Sequence, residues 1–258
     1  MRVFVEADAA AVGRRLADMV GMIVNSSPTA VIGVATGSSP LPGYAELARR
    51  VESGSLDFSE ASAFALDEYL GLPPGDPHSY AEAVRLSLTV PLLFDPARVH
   101  VPPGGAPDPA APKAYEDSIM AAGGIDIQIL GIGANGHLGF NEPGSAFDSR
   151  TRITELSAQT RRDNSRFFSS MSQVPTHATT QGLGTILDAR RLVMVARGAL
   201  KARAVERALR GPVSPDNPAS ILQTHPDVTV LLDSAAAAGL GGTFATAPGP
   251  RNRPERSD

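Results

Sequence analysis

The strand-like runs of this chain are apolar almost without interruption, and that constrains the fold more than any other feature. Ala30–Ala35 reads AVIGVA, Ile125–Gly131 reads IDIQILG, Arg191–Ala196 reads RLVMVA and Val228–Leu232 reads VTVLL. A strand with one wet face alternates apolar and polar residues; a strand buried on both faces does not, and such strands belong to parallel sheets covered by helices. Shorter runs at Arg2–Val5 and Ala63–Leu66 extend the set. Between the runs the period changes to three and four. Asp8 stands where a cap is needed for a helix whose stripe is Val12, Leu16, Met19, Val20 and Ile23. Tyr44, Leu47 and Val51 mark a second helix, Ser79–Val90 a third, Tyr115 and Ile119 a fourth, Ala178–Leu187 a fifth, and Leu200–Leu209 a sixth.

Strands alternating with helices predict an α/β fold: three αβα layers, a doubly wound and mostly parallel sheet of Rossmann-like type, in a single domain over residues 1–240. The segment Val101–Pro112, VPPGGAPDPAAP, breaks both periods and is expected to be a loop. Residues 241–258, GGTFATAPGPRNRPERSD, are polar and rich in Pro and Gly, and are expected to be a disordered tail.

Composition narrows the function classes. The 258 residues carry a formal net charge of −4, which argues against a nucleic-acid partner. An anionic small molecule stays open, because a few local cations and a helix N-terminus suffice to bind one. Cysteine is absent, which removes disulfides and thiolate chemistry and fits a reducing cytoplasm. No apolar run approaches the ~20 residues of a membrane span, and the N-terminus MRVFVEADAAAV lacks the layout of a signal peptide. The expectation is a cytoplasmic protein with no membrane partner.

In such folds ligands collect at the carboxyl ends of the strands, and three of these ends carry chemistry. The first is the turn Thr36, Gly37, Ser38, Ser39 before Pro40, whose backbone N–H groups and hydroxyls suit a phosphate. It lacks the lysine of a P-loop, and by itself it reads equally well as a strand–helix turn with serine capping. The second is Asp67-Glu68-Tyr69. One of its acids can serve as a general base at carbon, although the pair alone reads better as a capping Asp beside a solvated Glu.

The third is GIGANGHLGFNEPG, Gly131–Gly144. Its first half matches the G-x-G-x-x-G of dinucleotide-binding folds, with Glu155 near the place of a ribose-binding acid. That reading requires a helix after Gly136, and two further glycines with Pro143 oppose one. A second reading takes His137 as a proton shuttle, Glu142 as the carboxylate that orients and balances it, and Asn135 as a hydrogen-bonding partner of ring or substrate. His78, His100, His137, His177 and His225 show no H-x-x-x-H spacing and have no cysteine partners, so no metal is expected. Two cations complete the set: Arg166 in NSRFF and Lys201 after Gly198. Each alone reads as a surface charge; with the Thr36–Ser39 turn they form a phosphate clamp.

The motifs ATGSSP, LDEYLGL, GIGANGHLGFNEPG, SRTRITEL, NSRFF and Gly198–Lys201, collinear from about residue 1 to 240, resemble the glucosamine-6-phosphate deaminase (isomerising) family. Its superfamily includes 6-phosphogluconolactonases, whose histidine loop continues without Asn-Glu-Pro. The resemblance implies the following. Asp67 is the base moving a proton between C2 and C1 of the open-chain sugar. His137 handles the ring-opening proton, and Asn135 and Glu142 hold and tune it. Thr36, Gly37, Ser38, Ser39, Arg166 and Lys201 take the phosphate, with Arg166 on a lid spanning about Leu156–Pro175. No cofactor is implied, and the partner is a small amino-sugar phosphate. Some relatives are activated by N-acetylglucosamine 6-phosphate at a second site, which Ser145 and Arg152 match. Thr154 stands where those relatives carry lysine, so activation is expected to be weak or absent.

Three other readings stay open at this stage. A lactonase-type sugar-phosphate hydrolase shares the fold. A sugar-phosphate-sensing domain of a transcription regulator would need a helix-turn-helix ahead of the first strand, for which Arg2 leaves no room. A dinucleotide-dependent oxidoreductase rests on the glycines alone. A homo-oligomer is compatible with the sequence.

Overall fold

The structure is a computed structural model that describes residues 1–241. Apart from Gly241, the segment expected to be a disordered tail lies outside the described residues. The elements in chain order are β1 (Arg2–Glu6), α1 (Ala9–Ser26), β2 (Val31–Val34), α2 (Leu41–Glu52), β3 (Ser62–Ala65), β4 (Asp67–Tyr69), α3 (Tyr80–Val84), β5 (Val99–His100) and α4 (Ala111–Ala121). They continue with β6 (Ile127–Leu130), β7 (Arg152–Glu155), α5 (Ala158–Asn164), β8 (His177–Thr180), α6 (Leu183–Leu187), β9 (Leu192–Ala196), α7 (Ala202–Arg210) and β10 (Val228–Asp233).

Seven strands form one sheet in the order β1-β10-β9-β6-β2-β3-β5, with every pairing parallel. The apolar runs are its interior: every residue of β2, β6 and β9 is buried. The Asp8 carboxylate accepts the Ala11 N–H and starts α1 as the sequence predicts. Val12, Leu16, Val20 and Ile23 are buried, and Met19 packs at the edge of the same core. Each such side chain contributes about 1.5–3 kcal/mol by leaving water. From β2 the chain adds β3 and β5 on one side, then returns to build β6, β9 and β10 on the other. The winding direction therefore reverses between β2 and β6, and the crevice outside their carboxyl ends is where this class of sheet holds ligands.

Two features depart from the sequence reading. Ala178–Leu187 is not one helix: β8 ends at Thr180, and only Leu183–Leu187 is helical. The HATT run is β-branched at its end, and the chain needs it extended because it pairs on both sides. Its partners form a second, antiparallel sheet in the order β4-β8-β7. The DEY segment thus leaves the parallel sheet directly after β3, and Asp67 pairs with Thr180, Glu68 with Thr179 and Tyr69 with Ala178. Of Ser79–Val90, Tyr80–Thr89 is helical behind the Ser79 N-cap, and α3 passes at Arg85 into a π-helical stretch ending at Thr89. Among the described residues, no helix is long and apolar enough to cross a membrane.

Candidate active site

A cavity of about 630 Å³ opens at the carboxyl ends of β2, β3 and β6, with Lys201 reaching it from the turn after β9. Thr36 to Ser39, Asp67, His137, Arg166 and Lys201 all border it. Three strand ends and two separate cations, scattered over 166 residues of sequence, thus meet in one crevice.

The turn after β2 is shaped by Gly37, whose φ of +99° is a conformation L side chains rarely adopt. Upstream, the Tyr44 hydroxyl clamps the strand end by donating to the Ala35 carbonyl at 2.9 Å and accepting the Ala35 N–H at 3.2 Å. Among the described residues no side chain caps α2, so the serines of the turn do not consume its free N–H groups.

The paired acids exchange the roles that sequence alone suggests. Of the two, Glu68 does the capping: its carboxylate accepts the N–H groups of Tyr69 at 2.7 Å, Tyr80 at 2.9 Å and Ala81 at 2.7 Å, closing the start of α3 beside its N-cap Ser79. Asp67 is the one left facing the cavity, although it is only 6% exposed. Burial, and then the charge of Glu68, push its carboxyl up to about 8, with no hydrogen bond from the described residues opposing them.

The glycine-rich segment contains no helix from Gly131 to Arg150. The dinucleotide reading therefore lacks the helix N-terminus that would receive a pyrophosphate. The loop instead folds back on itself: the Gly133 N–H donates to the His137 carbonyl at 3.0 Å, and the His137 ring lies flat on Gly133. A Cβ on Gly133 would sit 2.2 Å from His137 Cε1, so the ring occupies the room a side chain would take.

Glu142 and Asn135 stand behind the histidine. Glu142 Oε2 is 3.8 Å from His137 Nδ1 and accepts Asn135 Nδ2 at 2.7 Å. Asn135 Oδ1 accepts the backbone N–H of His137 at 3.1 Å, so Asn135 holds the turn and Glu142 rather than the ring. The second oxygen of Glu142 accepts the hydroxyls of Ser157, at 3.0 Å, and Thr160. The imidazole is pushed below its ordinary value because burial, aided by the Lys201 charge, outweighs the Glu142 and Asp163 carboxylates. His137 is thus held neutral, able to accept one proton and release another.

The cations lie together on the remaining side. Lys201 follows Gly198, whose N–H is held by both carboxylate oxygens of Asp233 at 3.0 Å. Burial and the neighbouring Arg166 lower the Lys201 ammonium from its usual range. The Arg166 guanidinium lies 4.7 Å over the ring of Phe167. Two neighbouring cations on the border of one cavity make a place suited to a multiply charged anion. Among the described residues no group of three or more His, Asp or Glu side chains is arranged to hold a metal ion.

The family model described as glucosamine-6-phosphate isomerases/6-phosphogluconolactonase matches residues 5–231. The chain belongs to this family. It is 56% identical over 230 residues to the glucosamine-6-phosphate deaminase of Arthrobacter sp. (strain FB24), covering 89% of this chain and 88% of that one. It is 50% identical over 242 residues to the enzyme of the same name from Mycolicibacterium smegmatis (strain ATCC 700084 / mc(2)155), covering 93% of each. A solved monomeric glucosamine-6-phosphate deaminase superposes with a TM-score of 0.89 at 40% identity, over 93% of this chain and 100% of that one. The 6-phosphogluconolactonase of Leishmania guyanensis superposes at 0.75 with 18% identity, over 93% of this chain and 99% of that one, which shows the shared fold.

Within this isomerase/lactonase family fold, Ser145 and Arg152 lie outside the cavity. Arg152 Nη1 donates to Asn141 Oδ1 at 2.8 Å, and its Nη2 to Ser145 Oγ at 3.3 Å. Asn141 is fully buried and ties the loop to β8 by donating to the Leu138 and Gln181 carbonyls. Sequence reasoning missed several cavity residues. Thr160 and Asp163 border it from α5 at a spacing of three, a signal available once that short helix is placed. His78 borders it too, hydrogen-bonded to Asp76 at 2.8 Å and stacked on Phe168 at 4.7 Å. Nothing in the sequence distinguishes it from a solvated loop histidine.

Proposed function

We propose that this chain converts α-D-glucosamine 6-phosphate and water to D-fructose 6-phosphate and ammonia. The observation that carries the reading is Asp67: a buried carboxylate in the cavity wall, raised to about 8, facing the same space as a neutral histidine. Lactone hydrolysis needs no base at carbon, whereas an aldose–ketose shift does. Relatives named glucosamine-6-phosphate deaminase at 50–56% identity support the choice.

The phosphate is taken by the Thr36–Ser39 turn with Lys201 and Arg166. That remote contact sets the reacting carbons without taking part in the chemistry. His137 removes the proton of the anomeric hydroxyl and returns one to the ring oxygen, opening the hemiacetal. Glu142, held by Asn135, Ser157 and Thr160, balances the imidazolium that forms in between. Asp67 removes the proton on C2 while the C1 oxygen takes up one from solvent, giving an enolamine; Asp67 then delivers its proton to C1 as the nitrogen gives one up to solvent. The resulting imine at C2 takes up water and releases ammonia. No step in this sequence calls on a metal, a nucleotide or a covalent nucleophile.

The role is that of a hydrolytic deaminase in amino-sugar metabolism, in the breakdown of N-acetylglucosamine, and the location in keeping with it is the cytoplasm. The test is a coupled assay on Asp67→Asn. Ammonia release should fall roughly 10³-fold, within the range for loss of a general base, with substrate binding retained. Ammonia release that survives largely intact refutes the assignment of Asp67, and release of gluconate 6-phosphate from its lactone by the wild-type protein would favour the hydrolase reading.

A further inference from the structure

The turn after β9 carries two cations, and only Lys201 borders the cavity. The other, Arg197, directly follows the last residue of β9 and turns toward the neighbouring strand ends. Its Nη2 donates to the Ser38 carbonyl at 2.7 Å, across 159 residues of sequence. In the sheet, β6 lies between β9 and β2. At roughly 4.8 Å per strand the gap is about 10 Å, a distance that takes a long side chain to bridge.

The carbonyl that Arg197 takes belongs to the peptide joining Ser38 to Ser39. That peptide is trans, as are all those of the described residues. In a trans peptide the C=O and N–H point in opposite directions. Drawing the Ser38 oxygen toward β9 therefore turns the Ser39 N–H the other way. Ser39 borders the cavity, and among the described residues its N–H meets no acceptor. A cation on the carbonyl also polarises the peptide and strengthens the N–H as a donor. The Arg197 Nε, buried with no partner among the described residues, leaves further donor capacity beside the turn.

We propose that Arg197 is a positioning residue of the phosphate subsite: its hydrogen bond to the Ser38 carbonyl presets the Ser39 N–H toward the 6-phosphate of the sugar. The proposal rests on the reading of the Thr36–Ser39 turn as the phosphate end of the cavity. It gives this chain a second arginine acting on the phosphate through the backbone, in addition to Arg166 and Lys201 acting directly.

The experiment compares wild type, Arg197→Gln and Arg197→Lys in steady-state ammonia release, with inorganic phosphate as competitor. Arg197→Gln should raise both the KM for glucosamine 6-phosphate and the phosphate Ki about tenfold, the scale of one charge-assisted hydrogen bond, with kcat within about twofold. Arg197→Lys, which keeps a cationic donor, should recover most of the loss. Unchanged KM and Ki in Arg197→Gln overturn the proposal. So does a loss of kcat and thermal stability that Lys does not rescue, since that marks a tether between turns and nothing more. If Arg197→Gln does not fold, Arg197→Met keeps the aliphatic stem and is held to the same outcomes. A wild-type protein that phosphate does not inhibit refutes the phosphate reading itself and the proposal with it. A wild type that is inhibited, beside a variant indistinguishable from it, refutes the proposal alone.

Discussion

Asp67 and Glu68 are adjacent and chemically alike, yet the structure gives them opposite work. Glu68 is anchored by three N–H donors; Asp67 has burial and a neighbouring charge to contend with. Two predictions belong here. In the free enzyme Asp67 must be ionised to act, so kcat/KM should rise with pH along an acid limb centred near 8. Glu68→Gln removes the charge that helps raise Asp67 and should move that limb to lower pH; an unmoved limb refutes the coupling. The second concerns stability. The folded-state value lies above the ordinary 3.8, so the folded protein holds an extra proton between about pH 4 and 8. Stability from Asp67 is therefore fully present below about pH 4 and is lost as pH rises through about 8. Asp67→Asn lacks this slope, and its melting temperature should gain on that of the wild type steadily from pH 5 to pH 8. A constant difference across that range contradicts the raised value.

At the scale of elements, the loop after β6 shows how a strand end becomes a site. Its glycines are legible in the sequence as a tight turn, and Pro143 with the two later glycines rightly oppose a helix. What the glycines make room for is not legible. Gly133→Ala would force a methyl group into the His137 ring and should lower kcat about 10²-fold, the scale of a misplaced catalytic group, while the protein stays folded by circular dichroism. Gly37→Ala meets no atom of the described residues within 4 Å, so its cost is the backbone's own, about 1–2 kcal/mol at positive φ. Urea denaturation measures that cost, and kcat in Gly133→Ala close to that of wild type would show that the ring has somewhere else to go. The helix expected over Ala178–Leu187 fails for a related reason. Its residues suit either period, and the decision falls to β4 and β7, which pair with Thr180 from either side.

For the whole molecule, the reversal of winding between β2 and β6 brings the site residues together. The same architecture leaves Ser145 and Arg152 outside the cavity. Arg152 is already engaged with Asn141 and Ser145, and Thr154 two residues on offers no charge. Adding N-acetylglucosamine 6-phosphate should therefore leave the KM for glucosamine 6-phosphate unchanged in saturation curves. A clear fall in KM would show that Arg152 can be recruited without a second cation.

The sequence by itself determined the class of fold, the Asp8 cap with its helix, and the three chemically rich strand ends. These are local matters: hydrophobic period and residue type at a turn act over a few residues and survive without the rest of the chain. It also separated Asn-Glu-Pro from the dinucleotide fingerprint, because proline and glycine forbid a helix wherever they occur. The tertiary structure alone decided that Glu68 is tied down by three backbone N–H groups, that Asn135 holds Glu142 and not the ring, and that Arg197 reaches Ser38. Each of these depends on what stands opposite a residue. In a parallel sheet wound from both directions, those neighbours come from strands far apart in the chain, where neither period nor spacing records them.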